Sequence, residues 1–159
     1  MQHLIWRLLI VLLVAFPGAT AEAKPKITVT TEYYTVTGST IEELRKQMTA
    51  KGPKGFWAYA EWRVNWSAQC VVNLRITYTY PRWTNREKAS PKLRAHWDKF
   101  IANLITHEKG HGTHGRNAAA EIDKTRCMKD PVGIARRWSN QDIIYDKKTS
   151  HGATQGAVF

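Results

Sequence analysis

Long apolar runs and cysteines are both scarce in this sequence of 159 residues. The longest unbroken apolar run, residues 8–16, is far shorter than the ~20 residues of a membrane-spanning helix, so we expect no stable membrane anchor in the mature protein. The two cysteines have no C-x-x-C spacing, which argues against a redox-active thiol pair. No internal repeat is visible, which excludes a solenoid.

Acidic residues are also few. The chain has 13 Asp and Glu against 24 Lys and Arg, a net charge of +11. Such an excess favours an anionic partner, for example a component of the cell envelope. Because the basic residues are scattered rather than clustered, we expect no nucleic-acid partner. The sequence gives no indication of the oligomeric state.

The first 23 residues have the layout of a secretory signal peptide. Arg7 precedes the apolar run, and small residues with two A-x-A cleavage sites follow it, at 19–21 and 21–23. We therefore predict a signal peptide over 1–23 and one exported domain over 24–159, located in the periplasm or outside the cell. In such an oxidising compartment Cys70 and Cys127 are expected to form a disulfide bond.

Strand patterns precede helix patterns along the mature chain. Segments rich in β-branched and aromatic residues predict three strands, at 27–36, 57–66 and 71–80. Capping and helical periodicity predict helices from Thr40 to about Gly52, from 92 to about 127, and from 132 to 145, with an irregular tail after them. This order predicts an α+β fold in which a small, mostly antiparallel sheet packs on the long second helix.

The long helix carries an H-E-x-x-H motif at residues 107–111. Positions i and i+4 share a helical face, so His107 and His111 can bind a single Zn²⁺ ion. Glu108, beside them, can accept a proton from water that the metal activates. The motif lies on the apolar stripe of the helix, where His and Glu without partners would be costly to bury. The sequence therefore predicts a zincin-like metalloprotease that hydrolyses protein or peptide substrates, with Glu108 as the general base.

A third protein ligand has to come from elsewhere in the chain. The longer metzincin motif is absent, since His114 and Asn117 stand at its glycine and final histidine positions. We expect His151, in a glycine-flanked segment of the tail, to be this ligand. Three alternatives remain open: Asp146, His114 and Glu121. The hydroxyl of Tyr145 is expected to stabilise the oxyanion of the reaction.

A second function remains open beside the protease. In this alternative, the chain is a catalytically inactive zinc-binding protein or a basic module that binds an envelope polymer. Glu108 favours the enzyme, because a purely structural zinc site has no use for a base next to the metal.

Several short motifs are shared with a known group of proteins: Gly38-Ser39-Thr40, Gly52-Pro53, Trp97-x-x-Phe100 before the H-E-x-x-H motif, and Tyr145-Asp146-x-x-Thr149-x-His151-Gly152 followed by Gln155-Gly156. In these motifs the chain resembles a bacterial family of uncharacterised exported proteins described as predicted secreted zinc-dependent proteases. The resemblance covers nearly all of the mature chain. It implies a zincin-like peptidase in which His107 and His111 bind zinc and Glu108 is catalytic.

Overall fold

The computed structural model describes residues 24–159, so the predicted signal peptide lies outside the described residues. The main elements, in chain order, are β1 (Lys26–Val36), α1 (Ile41–Lys51), β2 (Tyr59–Trp66), β3 (Val72–Trp83), α2 (Pro91–Lys124) and α3 (Pro131–Thr149). A short 3-10 turn, Ala153–Gln155, follows α3. None of the helices in this part of the chain is long and apolar enough to cross a membrane.

The three strands form a mixed sheet in the order β1-β3-β2. β2 and β3 are antiparallel, with Trp66 opposite Val72. β1 is parallel to β3 along its whole length, from Lys26 opposite Asn73 to Val36 opposite Trp83. The prediction of a mostly antiparallel sheet is therefore wrong. The connection from β1 to β3 contains α1 and β2, which makes it long enough for the crossover that parallel pairing requires.

The helices begin at local capping signals. The Thr40 side chain accepts a hydrogen bond from the Glu43 N–H and so caps α1. The Ser90 side chain caps α2, and the Asp130 side chain caps α3 by accepting from the Gly133 N–H at 3.0 Å. α3 continues past its predicted end at residue 145 as far as Thr149, and this extra turn places Asp146 on a helix rather than in an irregular tail.

The core lies between the sheet and α2. As the alternation in the sequence predicts, one face of β3 is buried: Val72, Leu74, Ile76, Tyr78 and Tyr80. The buried stripe of α2 begins with apolar residues and continues into polar ones: Leu93, Trp97, Phe100 and Leu104, then His107, Glu108 and His111. The H-E-x-x-H motif is therefore part of the same face that packs the core.

A disulfide bond joins Cys70 and Cys127, which confirms the predicted pairing. Cys70 lies in the connection between β2 and β3, and Cys127 lies just after α2, so the bond ties the sheet to the end of the long helix. In the chain-entropy treatment, closing a loop of this length stabilises the fold by about 4 kcal/mol. Because disulfides persist in oxidising compartments, the bond favours an extracytoplasmic location.

Candidate active site

Three side chains converge beside the middle of α2. The imidazole rings of His107 and His111 lie one helical turn apart, with 5.0 Å between their centroids. Asp146 reaches them from α3, and its Oδ1 atom lies 3.1 Å from the Nε2 atom of each histidine. The potential ligand atoms of the three residues all lie within 4.8 Å of one another. This buried group can hold a metal ion.

The other nitrogen of each imidazole is held by an oxygen atom. The Nδ1 atom of His107 lies 2.9 Å from Gln155 Oε1, and that of His111 lies 3.0 Å from Asp142 Oδ1. Since both oxygens are acceptors, the neutral rings carry their protons on Nδ1. When both rings are neutral, their Nε2 lone pairs face the Asp146 carboxylate with no proton between them. A divalent cation fits this arrangement, because it would satisfy all three acceptors.

Asp142 holds two histidines at once. Its Oδ1 atom also lies 2.7 Å from His114 Nδ1, and its Oδ2 atom accepts a hydrogen bond of 2.7 Å from Trp62 Nε1. His111, His114 and Asp142 form a second group with the composition of a metal site. Asp142 lies at the Nδ1 atom of His111, whereas Asp146 lies at the Nε2 atom, so we interpret Asp142 as the residue that orients His111 rather than as a ligand.

Burial and neighbouring charges set the protonation of the site. Burial lowers the pKa of His107 and keeps the ring neutral. Burial also acts to lower the pKa of His111, but its hydrogen bond to Asp142 and the nearby carboxylates outweigh this effect, so the pKa is raised. Metal binding at His111 therefore competes with a proton. Burial raises the pKa of Glu108 to about 7, although the charge of His111 opposes this shift.

A cavity of about 690 Å³ opens over the cluster. His107, Glu108, His111 and Asp146 line its floor, and Glu108 is only 5% exposed. Large apolar and aromatic side chains form much of the wall: Phe56, Trp57, Tyr59, Leu104, Ile143 and Val158. Ala60 of the edge strand β2 also lines the cavity, and its backbone N–H acts to lower the pKa of the Glu108 carboxyl group. The cavity is large enough for a peptide side chain as well as water.

Two glycines permit close packing around His107. A Cβ atom at Gly110 would lie 2.3 Å from the hydroxyl oxygen of Tyr145, and one at Gly152 would lie 2.9 Å from Cγ of His107. Gly152 also has a φ of +83°, in the left-handed region that glycine adopts without strain. α2 remains continuous through Gly110, so no bend carries His114 into the cluster.

Tyr145 supports His107. Its ring stacks on the His107 ring at 5.0 Å, and its hydroxyl donates to the His107 carbonyl oxygen at 3.3 Å. The hydroxyl also accepts a hydrogen bond of 3.0 Å from Gln155 Nε2. To stabilise an oxyanion, as predicted, the Tyr145 hydroxyl would have to break its hydrogen bonds to His107 and Gln155.

The other ligand candidates lie outside the cluster. The His151 side chain is 61% exposed, and its Nδ1 atom lies 3.6 Å from Asp146 Oδ2. His114 is hydrogen-bonded to Asp142, and Glu121 accepts from Arg137 and Trp138. The structure thus brings Asp146, an alternative that the sequence left open, to the histidine pair in place of His151.

Two residues of the site, Asp142 and Gln155, were not predicted. Asp142 lies four positions before Asp146 on α3, the same i, i+4 spacing as the histidine pair, so helical periodicity contained a signal for it. Gln155 follows the helix in a 3-10 turn and has no helical spacing; its signal is the Gln155-Gly156 pair among the shared motifs.

A family model described as "Bacterial protein of unknown function (DUF922)" matches residues 31–152. The matched range extends from within β1 to Gly152, just after α3, and includes the histidine pair, Glu108 and Asp146. The match agrees with the expectation of an uncharacterised bacterial family, but the family description names no protease activity and no zinc. No curated protein and no solved structure matches the sequence significantly.

Proposed function

Since the chain belongs to the DUF922 family, whose function is unknown, we propose a function from the site itself: an exported, zinc-dependent peptidase with a zincin-like centre. The observation that carries the proposal is the buried H-E-x-x-H motif whose two Nε2 atoms share Asp146 Oδ1 at 3.1 Å. The disulfide bond supports the export of the chain to the periplasm or the medium.

His107, His111 and Asp146 would hold the zinc ion. Two imidazoles and one carboxylate are a typical protein ligand set of catalytic zinc sites. When bound, zinc would act as a Lewis acid that lowers the pKa of water and polarises a carbonyl group. Gln155 and Asp142 hold the two rings in the tautomer that this binding requires.

Glu108 would act as the general base. Its carboxylate takes a proton from the attacking water as the water oxygen forms a bond to the peptide carbonyl carbon. The same proton passes to the amide nitrogen as the C–N bond breaks and the amine leaves. The burial that raises the Glu108 pKa to about 7 supports this role, since a base works best with a pKa near the working pH.

The substrate would bind along β2. This strand is at the edge of the sheet, and its Ala60 backbone N–H is near enough to the Glu108 carboxylate to act on its pKa. An extended peptide that adds to this edge as a further strand would bring its backbone to the general base. The net charge of +11 supports an additional interaction with anionic envelope components.

We expect the purified protein to contain one zinc ion per chain and to cleave peptides only when zinc is present. Metal content is measured by mass spectrometry, and cleavage is measured on a proteome-derived peptide library. Treatment with 1,10-phenanthroline should abolish cleavage, and added zinc should restore it. The proposal fails if the protein binds no zinc, or if cleavage is equal with and without the chelator.

Replacing Gln155 with Ala should weaken zinc binding by about 10- to 100-fold, because the His107 Nδ1 proton loses its acceptor. A competition titration with a chromophoric chelator measures the change. Gln47→Ala is the matched control, since Gln47 is also hydrogen-bonded but connects α1 to Thr37. Equal zinc affinity in the Gln155 variant and the wild type would show that this residue does not orient the ligand.

A further inference from the structure

Most of the segment after Tyr145 supports the metal-binding group. Asp146 faces the histidines, Gln155 holds His107, and Thr149 Oγ1 accepts a hydrogen bond from the Gly152 N–H that fixes the turn after α3. The side chain of His151 differs from these residues. Within residues 24–159, neither of its ring nitrogens has a hydrogen-bond partner within 3.5 Å.

His151 nevertheless faces the site. It lines the same cavity as His107 and Glu108, with its ring centroid 5.6 Å from that of Phe56 at the cavity wall. Its Nδ1 atom lies 3.6 Å from Asp146 Oδ2, whereas it is Oδ1 of the same carboxylate that lies 3.1 Å from the histidine pair. The ring is therefore next to the metal-binding group but outside it, and it is open to whatever enters the cavity.

The backbone at His151 adopts its conformation at a cost. His151 has a φ of +51° and Ser150 a φ of +49°, both in the left-handed region that disfavours residues with a side chain. The His151 N–H donates to the Asp146 carbonyl oxygen at 2.9 Å, and the Ala153 N–H donates to that of Ser150 at 3.1 Å. Backbone strain of this kind is common where a protein fixes the position of a functional side chain.

We propose that His151 is a substrate-contacting residue: its ring N–H donates a hydrogen bond to the carbonyl oxygen of the scissile peptide bond as negative charge develops there. This inference rests on the proposed peptidase function and identifies a group that would stabilise its transition state. A donor that lines the cavity and has no hydrogen-bond partner among residues 24–159 is available for such stabilisation.

The test compares His151→Phe and His151→Gln with the wild type. Phe keeps an aromatic ring against Phe56 but cannot donate, whereas the Gln amide can. His96→Phe is the matched control, because His96 also packs on a phenylalanine, Phe159, at 5.0 Å but lies outside the residues that line the cavity. Each protein is assayed for zinc content, for kcat and KM on the best-cleaved peptide of the library, and for the Kd of acetohydroxamate.

We expect zinc to stay at one ion per chain in all three variants. In His151→Phe, kcat should fall by about 10²-fold with KM within about twofold, and His151→Gln should recover part of the loss. Acetohydroxamate carries an oxygen anion into the same cavity without being hydrolysed, and its Kd should rise by about 10-fold in His151→Phe. The control should match the wild type.

Two results would overturn the proposal. Loss of zinc from His151→Phe would make His151 a metal ligand, and an unchanged acetohydroxamate Kd in this variant would show that the ring does not contact the ligand. Both results are independent of turnover. If the wild type cleaves no peptide but its acetohydroxamate binding depends on His151, the peptidase function fails while the contact between His151 and an anionic oxygen stands.

Discussion

Replacing Glu108 with Gln is expected to lower kcat for peptide cleavage by at least about 10²-fold while one zinc ion per chain remains bound. Gln has nearly the same shape as Glu but cannot accept a proton from water. Glu108 is not one of the three residues whose ligand atoms converge, so zinc binding should be unaffected. Kinetics on the best-cleaved library peptide and metal analysis of the same sample measure the two quantities together.

Glu121→Gln is the matched control for this prediction. Glu121 is also on α2, but it is hydrogen-bonded to Arg137 and Trp138 away from the cavity, so its variant should cleave at the wild-type rate. Full activity in Glu108→Gln would remove Glu108 from the mechanism, and loss of zinc would make it a ligand. If the wild type binds zinc but cleaves no peptide, the alternative of an inactive zinc-binding protein is correct.

The stability of the Glu108 variant provides a second measurement. Burial raises the pKa of Glu108 from its ordinary value of 4.5 to about 7 in the folded protein. The native metal-free protein therefore binds more protons than the unfolded chain between these values, and its stability falls as pH rises through this window. Gln carries no charge to bury, so metal-free Glu108→Gln should have a higher Tm than the wild type at pH 8 and a similar one at pH 5. A lower Tm at pH 8 would indicate that the substitution damages the fold.

The parts of the site that follow local periodicity could be predicted from the sequence. His107, Glu108 and His111 continue an apolar stripe with a 3.6-residue period, and the structure buries all three on that stripe. The predicted strands and helix starts depend on equally local signals and agree with the structure to within a few residues. The disulfide pairing followed from there being only two cysteines.

The partners that come from distant segments could not be predicted in the same way. The parallel pairing of β1 with β3 depends on which strand edges meet after α1 has crossed over, and the strand patterns do not contain that information. Gln155 holds His107 from a position 48 residues away, in a turn without a regular period. Because the sequence predicts an irregular tail after residue 145, it does not place Asp146 on a helix face. His151, with its nearby glycines, is therefore the favoured ligand candidate from the sequence.

The sequence contains a signal for the full length of α3, which the prediction of an irregular tail does not use. Lys147 and Lys148 lie in the last turn of this helix, where cations interact favourably with the helix dipole. Extending the helix by that turn puts Asp142 and Asp146 on one face, opposite the histidines of α2. Paired i, i+4 spacings on two helices are therefore the sequence feature that points to the candidate metal-binding group.

Replacing Asp146 with Ala should weaken zinc binding by more than about 10²-fold, which exceeds the loss typical of a residue that only orients a ligand. Its carboxylate Oδ1 lies 3.1 Å from the Nε2 atom of each histidine, whereas the His151 side chain is 61% exposed. Chelator competition measures the affinity, and far-ultraviolet circular dichroism checks that the helices remain.

Asp98→Ala is the matched control for the Asp146 variant, since Asp98 is an exposed carboxylate of α2 that pairs with Arg86. It should bind zinc as tightly as the wild type. His151→Ala provides the decisive comparison, because Asp146 and His151 are adjacent at the cavity but only one of them faces both imidazoles. If His151→Ala loses zinc and Asp146→Ala retains it, the turn after α3 rearranges when the metal binds, and the ligand set is His107, His111 and His151.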